Sequence, residues 1–308
     1  MPALENPWFT FSFSDFSYAF LSVLLEGVPF ILIGTLLSGI IDEFLPSRVM
    51  VRLLPRNAFL GICLSGAMGL VFPMCECGVV PVIRRLISKG LPVSNAIAYM
   101  LAAPIVNPIV ILSTYAAFRG QNAAEFTSLR VGVGYLVSVI VALAVHHLPL
   151  NAVMRAGILS QGSTTHGAGH SHAFSIRIGG ALRVAVVDFL DVMVFFVLGV
   201  AVSALFSTAV NQELIMPLAL NDWIATASMM VLAAILSLCS TSDAFIAATF
   251  IAFPGVAKLA FLVFGPMFDL KLLFIYSAVF RKRFVIGLAV GLFILIGLIC
   301  VRLRILGL

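Results

Sequence analysis

Phe72-Pro73-Met74-Cys75-Glu76-Cys77-Gly78 interrupts one long apolar run, and Leu238-Cys239-Ser240-Thr241-Ser242-Asp243 interrupts another. Both interruptions fall where a helix would be crossing a lipid bilayer. Thiols, hydroxyls and carboxylates are costly at that depth and mark a route for something polar. Each interruption is followed by an apolar segment, 79–88 or 244–254, that is too short to span a membrane by itself.

The surrounding sequence sets the class. Of 308 residues, 62% are hydrophobic and 10% charged, with a mean hydropathy of +1.16, whereas a soluble domain carries about 25% charged residues. The further apolar segments, near 17–41, 57–73, 92–117, 130–149, 181–208, 223–239, 256–280 and 284–306, are helical in length, not the short alternating strands of a transmembrane barrel. The chain reads as an all-α polytopic membrane protein of a bacterial inner membrane, with the lipid bilayer as its constant partner. Its net charge of +5 gathers at segment ends, where it sets topology, so no nucleic-acid partner is expected. No cleavable signal peptide is read at the N-terminus, because Asn6-Pro7-Trp8-Phe9 follows no basic stretch.

The chain repeats itself. Residues 17–149 match 181–308 at an offset of 162–165, pairing Glu26 with Asp191, Gly34 with Gly199, Cys75 with Cys239, Pro104 with Pro266, and Asn107 with Asp269. Three units follow: a first transmembrane repeat (1–149), a Gly/Ser/His-rich cytoplasmic linker (150–178), and a second repeat (179–308). Paired, interrupted short segments in two halves point to a transporter binding site.

Arg48, Arg52 and Arg56 precede the first interruption, and Arg84, Arg85 and Lys89 follow it. Both clusters stay cytoplasmic if 57–90 enters the membrane and returns. The expected fold therefore has two inverted repeats, each with three spanning helices and a re-entrant hairpin. Eight spanning helices with parallel halves is the competing arrangement.

Cys75 and Cys77 can face the same side only in irregular or extended backbone, which Pro73 and Gly78 favour. Thiolates select soft ions. Cys239 would add a third sulfur if the hairpin tips meet: three sulfurs suit arsenic(III) or copper(I), and two with Glu76 or Asp243 suit zinc. Ser240, Ser242 and Asp243 join the candidate substrate contacts, although Ser/Thr/Asp before a helix also reads as an N-cap. Asn107 and Asp269, each three residues after a proline, serve either the substrate or backbone groups freed by the break. Glu26 and Asp191 are candidate proton-coupling carboxylates. His166, His170 and His172 could capture metal in the linker, as flexible His tracts do. Cys63 and Cys300 lie alone in apolar runs and read as packing residues.

Four motifs in order, Pro73-Met74-Cys75-Glu76-Cys77-Gly78-Val79-Val80-Pro81-Val82, Ala103-Pro104-Ile105-Val106-Asn107-Pro108, Cys239-Ser240-Thr241-Ser242-Asp243-Ala244-Phe245 and Gly265-Pro266-Met267-Phe268-Asp269, give the chain its resemblance to the ArsP/YraQ-type predicted permease family. The His-bearing linker resembles the branch thought to export copper or zinc; other members are regarded as arsenical exporters. The resemblance implies Cys75, Cys77, Cys239, Asn107 and Asp269 as substrate contacts. The family commonly has Cys-Ser-Cys where this chain has Cys75-Glu76-Cys77, and the added carboxylate leans toward a cation.

The leading expectation is a permease, not an enzyme, that exports thiophilic ions such as copper or zinc with proton coupling and no resident cofactor. No Walker A sequence occurs, so this chain does not itself use ATP. Arsenite or organoarsenical efflux through the same thiols is the first alternative. A membrane thiol oxidoreductase is the second, and uptake of a sulfur-containing anion at half-helix N-termini the third. Homo-oligomers are compatible with all of these.

Overall fold

The computed structural model describes residues 12–44, 55, 57–155, 174–209 and 222–305. Every named element among them is helical. In the first repeat these are α1 (Phe13–Phe44), α2 (Ala58–Ala67, continued by a 3-10 turn, Met68–Leu70), α3 (Val79–Ser88), α4 (Val93–Ala102), α5 (Pro108–Ala117) and α6 (Ala123–His146). The second repeat has α7 (Phe174–Ala209), α8 (Asp222–Leu236), α9 (Asp243–Thr249), α10 (Gly255–Met267), α11 (Leu270–Val279) and α12 (Lys282–Ile305). Six elements in one half are answered by six in the other, in the same order.

Among the described residues, five stretches are long and apolar enough to cross a membrane: Phe13–Phe44, Ala123–His146, Arg177–Thr208, Gly255–Val279 and Lys282–Arg304. The sixth expected crossing, 92–117, is two ten-residue helices, α4 and α5, with Ala103–Asn107 between them. Its counterpart α10–α11 breaks at Phe268 and Asp269. Both second half-helices start on the residues singled out from sequence. The Asn107 side chain accepts from the Ile109 amide at 2.9 Å, and Asp269 accepts from the Leu272 amide at 2.7 Å. Both are N-caps. They serve amides at the start of the next half-helix, not the carbonyls freed by the proline.

Contacts along α1 and α7 fix their direction. Gly27 lies against Phe196, Ser38 against Asp188 and Glu43 against Arg177, so the two helices are antiparallel. Gly34 lies against Gly78, the Ser38 hydroxyl donates to the Pro81 carbonyl, and Lys89 donates to the Asp42 carbonyl; α3 therefore runs parallel to α1. Gly61 and Leu64 of α2 line a cavity of about 410 Å³ together with Phe44, Leu86 and Leu91. The start of α2 thus lies beside the ends of α1 and α3, and α2–α3 goes in and comes back. Gly90, at φ +103°, ends α3 in the left-handed conformation that glycine adopts without a steric cost.

The halves run in opposite directions. The start of α4 meets the end of α6, where Ser94 and His146 are hydrogen-bonded at 3.4 Å. The start of α10 meets the start of α6, through Gly255 on Phe126 and Lys258 on Gln121. At the far end of α11, Arg281 donates to the Met154 carbonyl at 3.2 Å. The end of the molecule carrying Arg84, Arg85, Lys89, Arg177 and Arg281 is the one the positive-inside rule assigns to the cytoplasm.

Small residues let these elements close on the centre. A Cβ at Gly34 would overlap the Gly78 carbonyl, and one at its repeat partner Gly199 would crowd the Lys271 backbone. Small residues at helix crossings are how membrane helices gain packing. The returning helix of each hairpin also packs on the far half-helix of the other repeat, α3 on α11 and α9 on α5. The apolar segment 244–254 is helical only in part: α9 is seven residues long and stops at Thr249, leaving a turn to Pro254.

Candidate functional site

The two hairpin tips meet. Cys75, Glu76 and Cys77 precede α3, Cys239 precedes α9, and all four line one small cavity with Glu26 and Phe30 of α1, Phe196 of α7 and Lys271 of α11. Its volume is about 20 Å³, room for one water-sized species. The five cysteines are all free thiols. Cys77 is buried and Cys75 half-buried, and the Gly78 amide donates to the Cys75 sulfur at 3.3 Å. The Thr241 hydroxyl donates to the Cys239 sulfur at 3.6 Å.

A charged network runs through this tip. Lys271 is 2% exposed. Its ammonium lies 3.2 Å from Glu76 Oε1 and 3.1 Å from Asp269 Oδ2, and it donates to the carbonyls of Ser237 and Leu238 at 2.9 Å each. The Ser240 hydroxyl donates to Glu76 Oε2 at 3.2 Å. The Ser240 carbonyl in turn accepts from Arg130 at 3.0 Å. Arg130 also donates to Asp243 at 2.8 and 3.0 Å and to the Thr114 hydroxyl at 2.7 Å. Among the described residues, the cations paired with Glu76, Asp243 and Asp269 are Lys271 and Arg130. With all three carboxylates ionised, the network holds one negative charge in excess, an arrangement that favours a proton or another cation.

A second cluster fastens the first hairpin at the basic end. Arg85 makes a bidentate pair with Asp188 at 2.9 and 3.0 Å, and Ser38 donates to the same carboxylate at 2.7 Å. Arg84 reaches Asp191 at 3.3 Å, and Lys89 reaches Asp42 at 3.4 Å. Charges match here, and bidentate geometry in a dry setting rigidifies the α1–α3–α7 contact.

The sequence-derived residues therefore divide. Cys75, Glu76, Cys77, Cys239 and Glu26 share the cavity; Ser240, hydrogen-bonded to Glu76, and Asp269, ion-paired with Lys271, stand behind it. Asp243 belongs to the Arg130 pair. Ser242 does not cap α9 with its side chain; its hydroxyl turns back to the Cys239 carbonyl at 3.1 Å. Asn107 caps α5. Asp191, with its side chain 50% exposed, pairs with Arg84 outside the cavity. His166, His170 and His172 lie outside the described residues. Among the described residues, no three His, Cys, Asp or Glu side chains converge closely enough to hold a metal ion as they stand.

Sequence reasoning gave Arg130 no role and named Lys271 only as a cation that could neutralise Asp269, not as a partner of Glu76. Each is a cation inside an apolar run, and such a residue needs a carboxylate from another element. That requirement was a usable signal for Arg130, though not for which carboxylate, and the structure pairs Lys271 with a second carboxylate beyond its neighbour Asp269. Phe196 had no signal at all.

Opposed repeats, interrupted half-helices and a polar site where the interruptions meet define a membrane permease. Comparison with known proteins gives the family: the chain belongs to ArsP_1, described as "Predicted permease", which matches residues 12–303. It is 38% identical over 275 residues to the UPF0718 protein YcgR of Bacillus subtilis (strain 168), covering 89% of this chain and 92% of that one. It is 35% identical over 271 residues, 87% of each chain, to a Streptococcus mutans serotype c (strain ATCC 700610 / UA159) protein with a provisional name as a two-component membrane permease complex subunit. No solved structure matches the chain at a significant level. The protein is an integral membrane permease of the bacterial plasma membrane.

Proposed function

We propose that this permease exports a thiophilic metal cation, copper- or zinc-like, through the cavity shared by Cys75, Cys77, Cys239 and Glu76. The observation that carries the reading is that these four side chains, from hairpins 164 residues apart in sequence (Cys75 to Cys239), line one cavity of about 20 Å³. Soft sulfur beside a carboxylate is a donor set for such ions. The size supports a bare ion over a methylated arsenical. The excess negative charge around Lys271 and Arg130 supports a cation over an anion. Glu26, in the wall of the same cavity, is the carboxylate best placed to exchange a proton for the cargo. Asp191 has no such position.

The test is resistance in cells lacking their own exporters. These would express wild type, Cys75→Ser or a triple His→Ala variant at His166, His170 and His172, and meet copper, zinc, cadmium, arsenite and a methylated arsenical. Resistance to copper or zinc is expected with wild type, lost with Cys75→Ser and reduced with the linker variant. Resistance confined to arsenicals and indifferent to the linker would transfer the site to arsenical efflux. No resistance to any of them, with the protein present in the membrane, contradicts both readings.

A further inference from the structure

We propose that Lys271 is a tethered counter-cation that occupies Glu76 between transport events, and that cargo binds only by displacing it onto Asp269. The inference rests on the metal-cation reading above and deepens it.

The geometry is that of a shared ion. One ammonium sits between two carboxylates, 3.2 Å from Glu76 and 3.1 Å from Asp269. The carboxylates come from opposite repeats: Glu76 from the first hairpin, Asp269 from the cap of α11, two residues before Lys271 itself. Lys271 keeps two backbone carbonyls, of Ser237 and Leu238, whichever carboxylate it favours. Its link to Asp269 is within one helix start, while its link to Glu76 crosses between repeats, so the Glu76 contact is the one that can break. Glu76 has a second partner, the Ser240 hydroxyl, which holds the carboxylate in place when the ammonium leaves.

Charge arithmetic favours the exchange. Glu76 and Asp269 with Lys271 sum to minus one. A cation arriving at Glu76 lets each carboxylate keep a positive partner: cargo on Glu76, Lys271 on Asp269. As the side chains stand, no three potential ligands among the described residues are arranged to hold a metal, so cargo binding requires the side chains to move. The first half has Ile109 at the position that repeats as Lys271, so the device exists in one repeat only. In a transporter, a resident cation that returns when cargo leaves keeps the site from holding cargo too tightly to release. It also spares the buried carboxylate from standing unpaired while the empty site reorients.

The test is binding of cadmium, used as the probe, to purified full-length protein in detergent, followed by thiolate absorption. Wild type, Lys271→Gln, Lys271→Met, Lys271→Arg and Lys271→Gln with Glu76→Gln would be compared, with Cys75→Ser as the site control. The neutral variants are expected to bind cadmium at least about tenfold more tightly than wild type, because a positive charge next to the site is gone. Lys271→Arg, whose fork can grip both carboxylates, is expected to bind at least about tenfold more weakly. The added Glu76→Gln should abolish the gain. A lysine that only supports the fold would weaken binding when removed, so tightening is specific to competition. Thiol-dependent binding that is unchanged or weaker in the neutral variants overturns the tethered-cation role and leaves the metal-site reading standing. Absence of Cys75-dependent binding in every variant overturns the metal-site reading itself. If neither neutral variant folds, Lys271→Arg decides: weaker binding supports the role, and equal or tighter binding overturns it.

Discussion

Arg130→Leu is expected to cost the folded protein about 3–5 kcal/mol, the usual consequence of leaving one member of a buried ion pair without the other. The two side chains are 1% and 4% exposed. Asp243 receives two hydrogen bonds from Arg130, at 2.8 and 3.0 Å, and among the described residues no other side chain is bonded to it. The same guanidinium holds the Ser240 carbonyl and the Thr114 hydroxyl, so one substitution removes the polar links that tie the second hairpin tip to α6 and α6 to α5. Thermal unfolding in detergent should show a large fall in midpoint, or loss of the monodisperse protein altogether. Arg130→Leu combined with Asp243→Leu removes both charges and should recover at least half of the loss, because a neutral apolar pair carries no desolvation penalty. An Arg130→Leu protein that melts with wild type would show that the pair is not buried as described.

Glu76→Gln is expected to lower transport of a thiophilic cation at least about tenfold while leaving the fold largely intact, since it deletes a charge at a site where charge decides binding. The change keeps the side chain's shape and leaves an amide oxygen for the Ser240 hydroxyl. Lys271 retains Asp269 and two backbone carbonyls, so no buried ion is stranded, unlike in Arg130→Leu. What is lost is the carboxylate that lies between Cys75 and Cys77 in sequence, leaving Glu26 as the other carboxylate lining the cavity. Efflux from preloaded cells measures this. Asp191→Asn is the informative contrast: its half-exposed carboxylate pairs with Arg84 away from the cavity, and transport should stay within about twofold of wild type, the range of a solvated surface pair. Equal loss in both variants would mean that general charge, not the Glu76 position, sets the rate.

The architecture was legible because the bilayer constrains what a sequence can do. Apolar length, repeat pairing of Cys75 with Cys239 and of Asn107 with Asp269, and the distribution of arginine were enough for a two-repeat helical bundle with paired interruptions. Directions of individual helices, visible in contacts such as Gly27 with Phe196 and Gly255 with Phe126, follow that plan. Residue roles were less legible, because they depend on which carboxylate meets which cation. Asp243 sat in a polar motif and read as a substrate contact or cap, yet Arg130, more than a hundred residues away, takes it as an ion-pair partner. Asp188 and Asp191 share a helical face, yet one is fully buried on Arg85 and the other half-exposed on Arg84. Asn107 and Asp269 repeat each other as helix caps, but only Asp269 has a lysine two positions on, and that lysine reaches the other repeat's hairpin. No local pattern encodes such long-range pairings.

Cadmium accumulation by everted membrane vesicles tests the central claim most directly, because eversion turns export into uptake that can be counted. Vesicles containing wild type should accumulate the ion above vesicles lacking the protein, and those containing equal amounts of Cys75→Ser should not, while Cys300→Ser, at a buried packing cysteine outside the cavity, should accumulate it like wild type. Accumulation by Cys75→Ser at the wild-type rate would contradict a transport route through the thiols at the hairpin tips.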